Sequence, residues 1–136
     1  MDPHILHAIL ASHPRVAITG GPKAGKSSLS QRIIDRPVFH TDSYNQIPFD
    51  KVGSHIATTL RPTLPPKFVI EGVHALSAIK HGLKVDAIIH LPKEAADTHL
   101  KSIGGSPLRP AQASMHKAQA TRLNQIKTNF PNIPIY

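Results

Sequence analysis

Arg15-Val16-Ala17-Ile18-Thr19-Gly20-Gly21-Pro22-Lys23-Ala24-Gly25-Lys26-Ser27-Ser28 is the stretch on which the reading of this chain turns. Its first five residues are a short, mostly apolar run that stops at two glycines, the pattern of a buried strand entering a turn. From Gly25 to Ile34, Leu29, Ile33 and Ile34 fall on one side and serines with Gln31 on the other, which predicts an amphipathic helix. Between strand and helix, Gly20 to Ser27 satisfies G-x-x-x-x-G-K-[ST] at every specified position. Ordinary residue abundances would produce that match in roughly one chain in two hundred of this length, so the strand-loop-helix setting strengthens the reading considerably. There, successive backbone N–H groups converge on a phosphate chain and the start of the helix adds positive potential. Lys26 is expected to reach the β- and γ-phosphates of ATP, and the Ser27 hydroxyl to coordinate the Mg2+ that bridges them. The expected nucleotide-binding residues are Gly20, Gly21, Pro22, Lys23, Ala24, Gly25, Lys26, Ser27 and Ser28. The alternative is a glycine turn with one exposed lysine, and Lys23 is either a second phosphate contact or simply solvated.

Outward from this stretch the pattern alternates. Asp2-Pro3 reads as the cap and first position of a short opening helix with Ile5, Leu6, Ile9 and Leu10 as its stripe, ended by His13-Pro14. Val38–Thr41, Lys67–Ile70 and Asp86–Leu91 read as further strands, with a Pro-rich connection between the second and third. Val73–Lys80, Lys93–Ile103 and Ala111–Lys127 read as helices, and 132–136 as a final edge strand. This predicts one α/β domain over residues 1–136: a three-layer α/β/α P-loop NTPase fold on a mostly parallel five-stranded sheet, with ligands at the strands' carboxyl ends. Asp86, at the start of its strand, belongs to the wrong end for a metal and is read as structural.

Composition narrows the class. The 136 residues suit a single core, 40% hydrophobic and 18% charged. No run reaches the roughly 18 apolar residues needed to span a bilayer, and the N-terminus lacks a basic segment followed by an apolar one, so a soluble, cytoplasmic protein is expected, host cytoplasm if viral. Zero cysteines exclude disulfides, thiolate metal sites and cysteine nucleophiles. The formal charge is +8, and no acidic residue follows Asp97, while Lys101, Arg109, Lys117, Arg122 and Lys127 do. That cationic tail suits a polyanion such as nucleic acid, or is a solvated surface. His4 and His7 share a helix face, but with no carboxylate or cysteine beside them they do not make a metal site.

Two further segments resemble kinases. His40-Thr41-Asp42-Ser43-Tyr44 resembles the acceptor-binding D-S-[FY] segment of uridine kinase and phosphoribulokinase. The resemblance makes Asp42 the expected base, taking the acceptor hydroxyl's proton as its oxygen attacks the γ-phosphate; an aspartate before Ser and Tyr also caps turns. Phe68-Val69-Ile70-Glu71-Gly72-Val73 resembles the strand of the same kinases that ends in Glu-Gly, which implies that Glu71 meets Mg2+ through water. A glutamate after Phe-Val-Ile would be costly to bury unpaired; the other reading is an exposed strand end. Such kinases carry an arginine-bearing lid; here it is abbreviated, around 104–110, with Arg109 as the expected lid residue and Arg122 as the second candidate. His40 and His74 flank these segments and could contact an anionic acceptor or be ordinary core or surface residues.

A short lid, a cationic tail and a small chain favour a bulky acceptor over a small one. The expected activity is therefore ATP-dependent transfer to a hydroxyl on DNA. Polynucleotide kinases and the small bacteriophage P-loop kinases that phosphorylate hydroxymethyluracil in DNA are the nearest analogies, and Tyr44 and Phe49 the residues for base stacking. A nucleoside or sugar kinase is the alternative. A P-loop ATPase or GTPase switch is disfavoured by the lack of an Asn-Lys-x-Asp segment and of a Walker B strand ending in aspartate.

Overall fold

The computed structural model describes residues 1–44 and 46–136. Strand β1 (Arg15–Gly20) runs through the middle of a parallel sheet whose order is β2 (Val38–His40), β3 (Phe68–Glu71), β1, β4 (Ala87–Leu91). Ile18 lies opposite Glu71 on one side and Ile89 on the other, and Gly20 opposite Leu91. All four strands point the same way, so their carboxyl ends share one edge. Because β3 rather than β2 neighbours β1, Glu71 is delivered directly beside the glycine loop.

The side-chain alternation of β1 divides the core. Val16 and Ile18 pack with Val69, Ala87 and Ile89 under helices α1 (Pro3–Ser12) and α2 (Lys26–Ser30), whose buried residues include Leu6, Ile9, Leu10 and Leu29. Ala17, Ile70 and Ile88 face the opposite layer, made by α3 (Phe49–Leu60), α4 (Ala75–Lys80) and α6 (Pro110–Asn129). Helix α5 (Lys93–Ser102) follows β4 and buries Ala96 and Leu100. Period-two alternation thus yields helices on both faces of the sheet.

Four expectations need correction. The segment 132–136 is not a fifth strand: it meets β4 in one parallel bridge, Ile88 with Ile135, where the Ile88 N–H donates to the Pro134 carbonyl and the Tyr136 N–H to the Ile88 carbonyl. The His90 N–H also donates to the Tyr136 carbonyl, but Pro134 has no N–H to extend the ladder back toward Asp86, and the sheet has four regular strands among the described residues. The Pro-rich connection contains α3, whose Val52, Ile56 and Leu60 are buried at helical spacing; Gly53 and the flanking prolines mask that stripe in the sequence. Helix α2 ends at Ser30, short of Ile34, with the Ser30 hydroxyl donating to the Ser27 carbonyl and the backbone tightening into turns. Ile5 and Ile34 point into solvent instead of joining their stripes. The opening helix is as expected, with Asp2 accepting from the His4 N–H at 2.7 Å.

Candidate phosphate-binding site

Every element that carries a candidate residue delivers it to the carboxyl edge of the sheet. β1 ends at Gly20, residues 21–25 turn, and α2 begins at Lys26. Within the turn Gly20, Lys23 and Gly25 have φ of 141°, 64° and 92°. Lys23 is the only non-glycine residue with positive φ among the described residues, a conformation a branched or bulky side chain resists. Lys26 is buried, and its ammonium donates to the Gly21 carbonyl inside the loop. Burial lowers its pKa, opposed by the charges of Glu71 and then Asp42. A desolvated cation that borrows a loop carbonyl is poised to exchange it for an anion. Ser27, Ser28 and Lys23 are exposed around it.

Glu71 is 3% exposed, which sets aside the exposed strand end. Its Oε2 lies 2.6 Å from His40 Nδ1. Gly72, with φ 140°, lets the chain turn away from β3 against Thr41: a Cβ at this position would run into the Thr41 hydroxyl. The Glu-Gly pair is therefore a carboxylate followed by the one residue that fits the corner. Thr41 Oγ1 accepts from the His74 N–H at 3.4 Å, tying the 3-10 turn Thr41–Tyr44 to the corner after β3. Asp42 sits in that turn with an exposed side chain. Its charge reaches both Lys26 and His74.

Helix α6 closes the other side. Its buried stripe is His116, Gln119, Leu123 and Ile126. His116 Nε2 lies 2.7 Å from the Pro22 carbonyl, and a Cβ on Gly21 would stand 2.7 Å from the His116 ring, so the helix rests against the loop. Beneath the loop, His90 Nδ1 lies 2.8 Å from Thr19 Oγ1. His90 is held toward its neutral form by burial first, then by His116, Lys127 and Lys26. His74 is likewise pushed down by burial and then by Arg122, with Asp42 opposing.

Arg109, expected in a lid, stands exposed at the head of α6, its N–H bonded to Gln112 Oε1. Arg122, thirteen residues and therefore about 20 Å further along the helix axis, places its guanidinium 5.2 Å from the Phe49 ring, which in turn meets His74 edge-on at 5.1 Å. The structure thus brings Lys26, Glu71, Asp42, His40 and His74 to one edge, with Arg122 beside them. His90, His116 and Gln119 were missed in the sequence. His116 and Gln119 had a signal, being polar residues in phase with Leu123 and Ile126 on an otherwise apolar stripe.

Asp86, read as structural, is so: it forms a two-pronged pair with Arg15 at 2.7 and 2.9 Å at the opposite edge of the sheet. No helix among the described residues is long and apolar enough to cross a membrane. Compared with known proteins, the chain matches no protein-family model and no curated protein.

Proposed function

We propose that this chain is an ATP-dependent kinase of the P-loop type that phosphorylates a hydroxyl on a nucleic acid. One observation carries the reading: a buried ammonium, Lys26, lies inside a glycine loop with two carboxylates, Glu71 and Asp42, near enough to support its charge. That combination suits in-line phosphoryl transfer, in which the protein contributes positioning and charge more than covalent chemistry.

The nucleotide phosphates would lie in the loop Gly20–Ser27 against Lys26. A hollow of about 520 Å3 opens beside Ala24, Gly25 and Ser28 and runs to Glu94 and Thr98 on α5, room enough for a nucleoside. No three His, Cys, Asp or Glu side chains converge as a metal site among the described residues. Mg2+ needs no such cage, since it takes most of its ligands from phosphate and water. Ser27, exposed at the mouth of the loop, and Glu71, oriented by His40, fit that role; the ion would neutralise charge on the phosphate oxygens. Asp42 accepts the proton of the acceptor hydroxyl while that oxygen bonds to the γ-phosphorus and the bond from phosphorus to the bridging oxygen of ADP breaks. Arg122 supplies positive charge on the acceptor side.

The test is transfer from γ-labelled ATP to DNA carrying hydroxymethyluracil, to oligonucleotides with free 5′ ends, or to nucleosides. Label on a polynucleotide supports the proposal. Label on nucleosides alone identifies a small-molecule kinase, and free phosphate alone an ATPase; either result removes the polynucleotide acceptor.

A further inference from the structure

Pro22 makes the glycine loop depend on a single peptide. It has no N–H, so the peptide joining Gly21 to Pro22 offers an anion nothing, and the next amide in the loop is that of Lys23. Lys23 is also the only non-glycine residue with positive φ among the described residues, at 64°. Turning over the peptide between Pro22 and Lys23 would carry that φ to about −116°, inside the broad region open to any residue. Proline accepts both arrangements, because only its φ is fixed. The arrangement present is the strained one, and such strain persists where the surroundings impose it.

His116 on α6 imposes it. Its Nε2 lies 2.7 Å from the Pro22 carbonyl, and its ring occupies the space that a Cβ on Gly21 would need. No described peptide is cis, and in a trans peptide the C=O and the N–H point in opposite directions. With the Pro22 carbonyl drawn to α6, the Lys23 N–H faces away from that helix. Turned over, the same peptide would present a carbonyl where the amide stood, a partial negative charge where the loop is read as meeting phosphate.

Helix α6 is fixed firmly enough to serve as this stop. The spacing of His116, Gln119, Leu123 and Ile126 keeps all four on one buried face. Leu123 and Ile126 are seated in the core with Ala17, Ile70 and Ile88. Gln119, one turn beyond His116, donates its Nε2 hydrogen to the Val73 carbonyl at 2.7 Å, just past the Glu71-Gly72 corner. The apolar half of the stripe anchors the helix, and the polar half reaches the two segments that flank the site. Leucine at position 116 would continue the apolar stripe but could not hold a carbonyl.

We propose that His116 is a positioning residue for the nucleotide: by holding the Pro22 carbonyl, 94 residues away in the chain, it keeps the Lys23 amide available to the phosphates in spite of the strain at Lys23. The inference rests on the phosphate-loop part of the reading above and names the residue outside the loop that sets its peptide orientation.

Calorimetric titration of the full chain with MgATP tests this through a double-substitution cycle. His116→Leu is expected to weaken binding by about tenfold, and His116→Gln, whose amide N–H takes the place of the ring Nε2–H, to restore most of it. In a Lys23→Gly background, where positive φ carries no strain, His116→Leu should cost about twofold or less. An equal loss in both backgrounds, or no loss in either, overturns the inference. A leucine variant that melts at much lower temperature yet binds MgATP as before assigns His116 to the fold and overturns it as well. Nitrogen NMR of the unaltered protein checks the contact without any substitution: the His116 ring should carry a proton on Nε2, and a ring protonated on Nδ1 alone overturns the inference. Failure of the underlying reading looks different. No binding of MgATP by the unaltered protein removes the phosphate loop and this inference with it, whereas binding that is indifferent to His116 removes the inference and spares the loop.

Discussion

The two edges of the sheet treat charge in opposite ways. At the amino edge the charged groups that touch the sheet, Arg15, Asp86, Arg36 and Asp35, close on partners. Arg15 and Asp86 pair through two bonds. Arg36, 6% exposed, donates to the carbonyls of Leu10, His13 and Pro14 and to Asp35, which also meets Lys67 at 3.3 Å. The bond to Arg36 holds the Asp35 carboxyl at a pKa of about 2. At the carboxyl edge Lys26 is buried against a carbonyl, Glu71 against a single imidazole, and His74 and His90 are pushed toward neutrality. Satisfied charge stabilises a fold, whereas desolvated, incompletely paired charge costs stability and is retained where a ligand completes it. The first edge reads as scaffold and the second as site.

Substitutions at the two edges should therefore separate stability from activity. The largest effect is expected from Asp42→Asn, a loss of about 10²- to 10⁴-fold in phosphoryl transfer with MgATP affinity and melting temperature unchanged. An unaltered rate would remove Asp42 from the chemistry. Arg36→Met comes next: it takes the guanidinium from the carbonyls of Leu10 and His13, the first in a buried bond, and should cost about 2–4 kcal/mol in urea unfolding. A change below about 0.5 kcal/mol would deny the amino edge its structural role.

Lys26→Met sharpens the contrast. It should weaken MgATP binding by about 10- to 100-fold in calorimetry while leaving melting temperature the same or higher, since a desolvated cation has gone. A marked fall in melting temperature would show that Lys26 serves the fold. pH probes the same edge. His74 and His90 bind protons less readily folded than unfolded, so their contribution to stability is present above the ordinary histidine value of about 6.5. It is lost as pH falls from there toward their depressed folded-state values, at no more than about 1.4 kcal/mol per pH unit for each group. In an NMR titration these two rings should stay neutral to below the ordinary histidine value; rings that take up their protons at that value would contradict it. The smallest effect is expected of Arg15→Met, about 1 kcal/mol, because that pair is partly exposed and screened.

The strand, glycine turn and helix from Arg15 to Ser30 were legible from adjacent residues alone, since an apolar run that stops at two glycines and reopens as an amphipathic stretch is a local pattern. The alternation of strands and helices was legible for the same local reason, and so was the structural role of Asp86. Helix α3 was hidden, because Gly53 and the prolines on either side speak locally for a loop while burial of Val52, Ile56 and Leu60 against α4 and the sheet decides otherwise. Partnership across the chain was hidden as well. Nothing near Gln119 in sequence reveals that Val73 holds its amide, and nothing near His40 that Glu71 is its partner.

By itself, the sequence determined the repeating local choices: apolar runs that must be buried as strands, stripes that must face a sheet, and a glycine loop whose backbone can turn toward an anion. Tertiary structure alone decided which strands are neighbours. With β3 seated beside β1, Glu71 stands next to Lys26, and with α6 laid across the loop, His116, Gln119 and Arg122 line the approach. Strand order and helix packing are settled by burying apolar faces over the whole chain, a balance that no short window of residues contains.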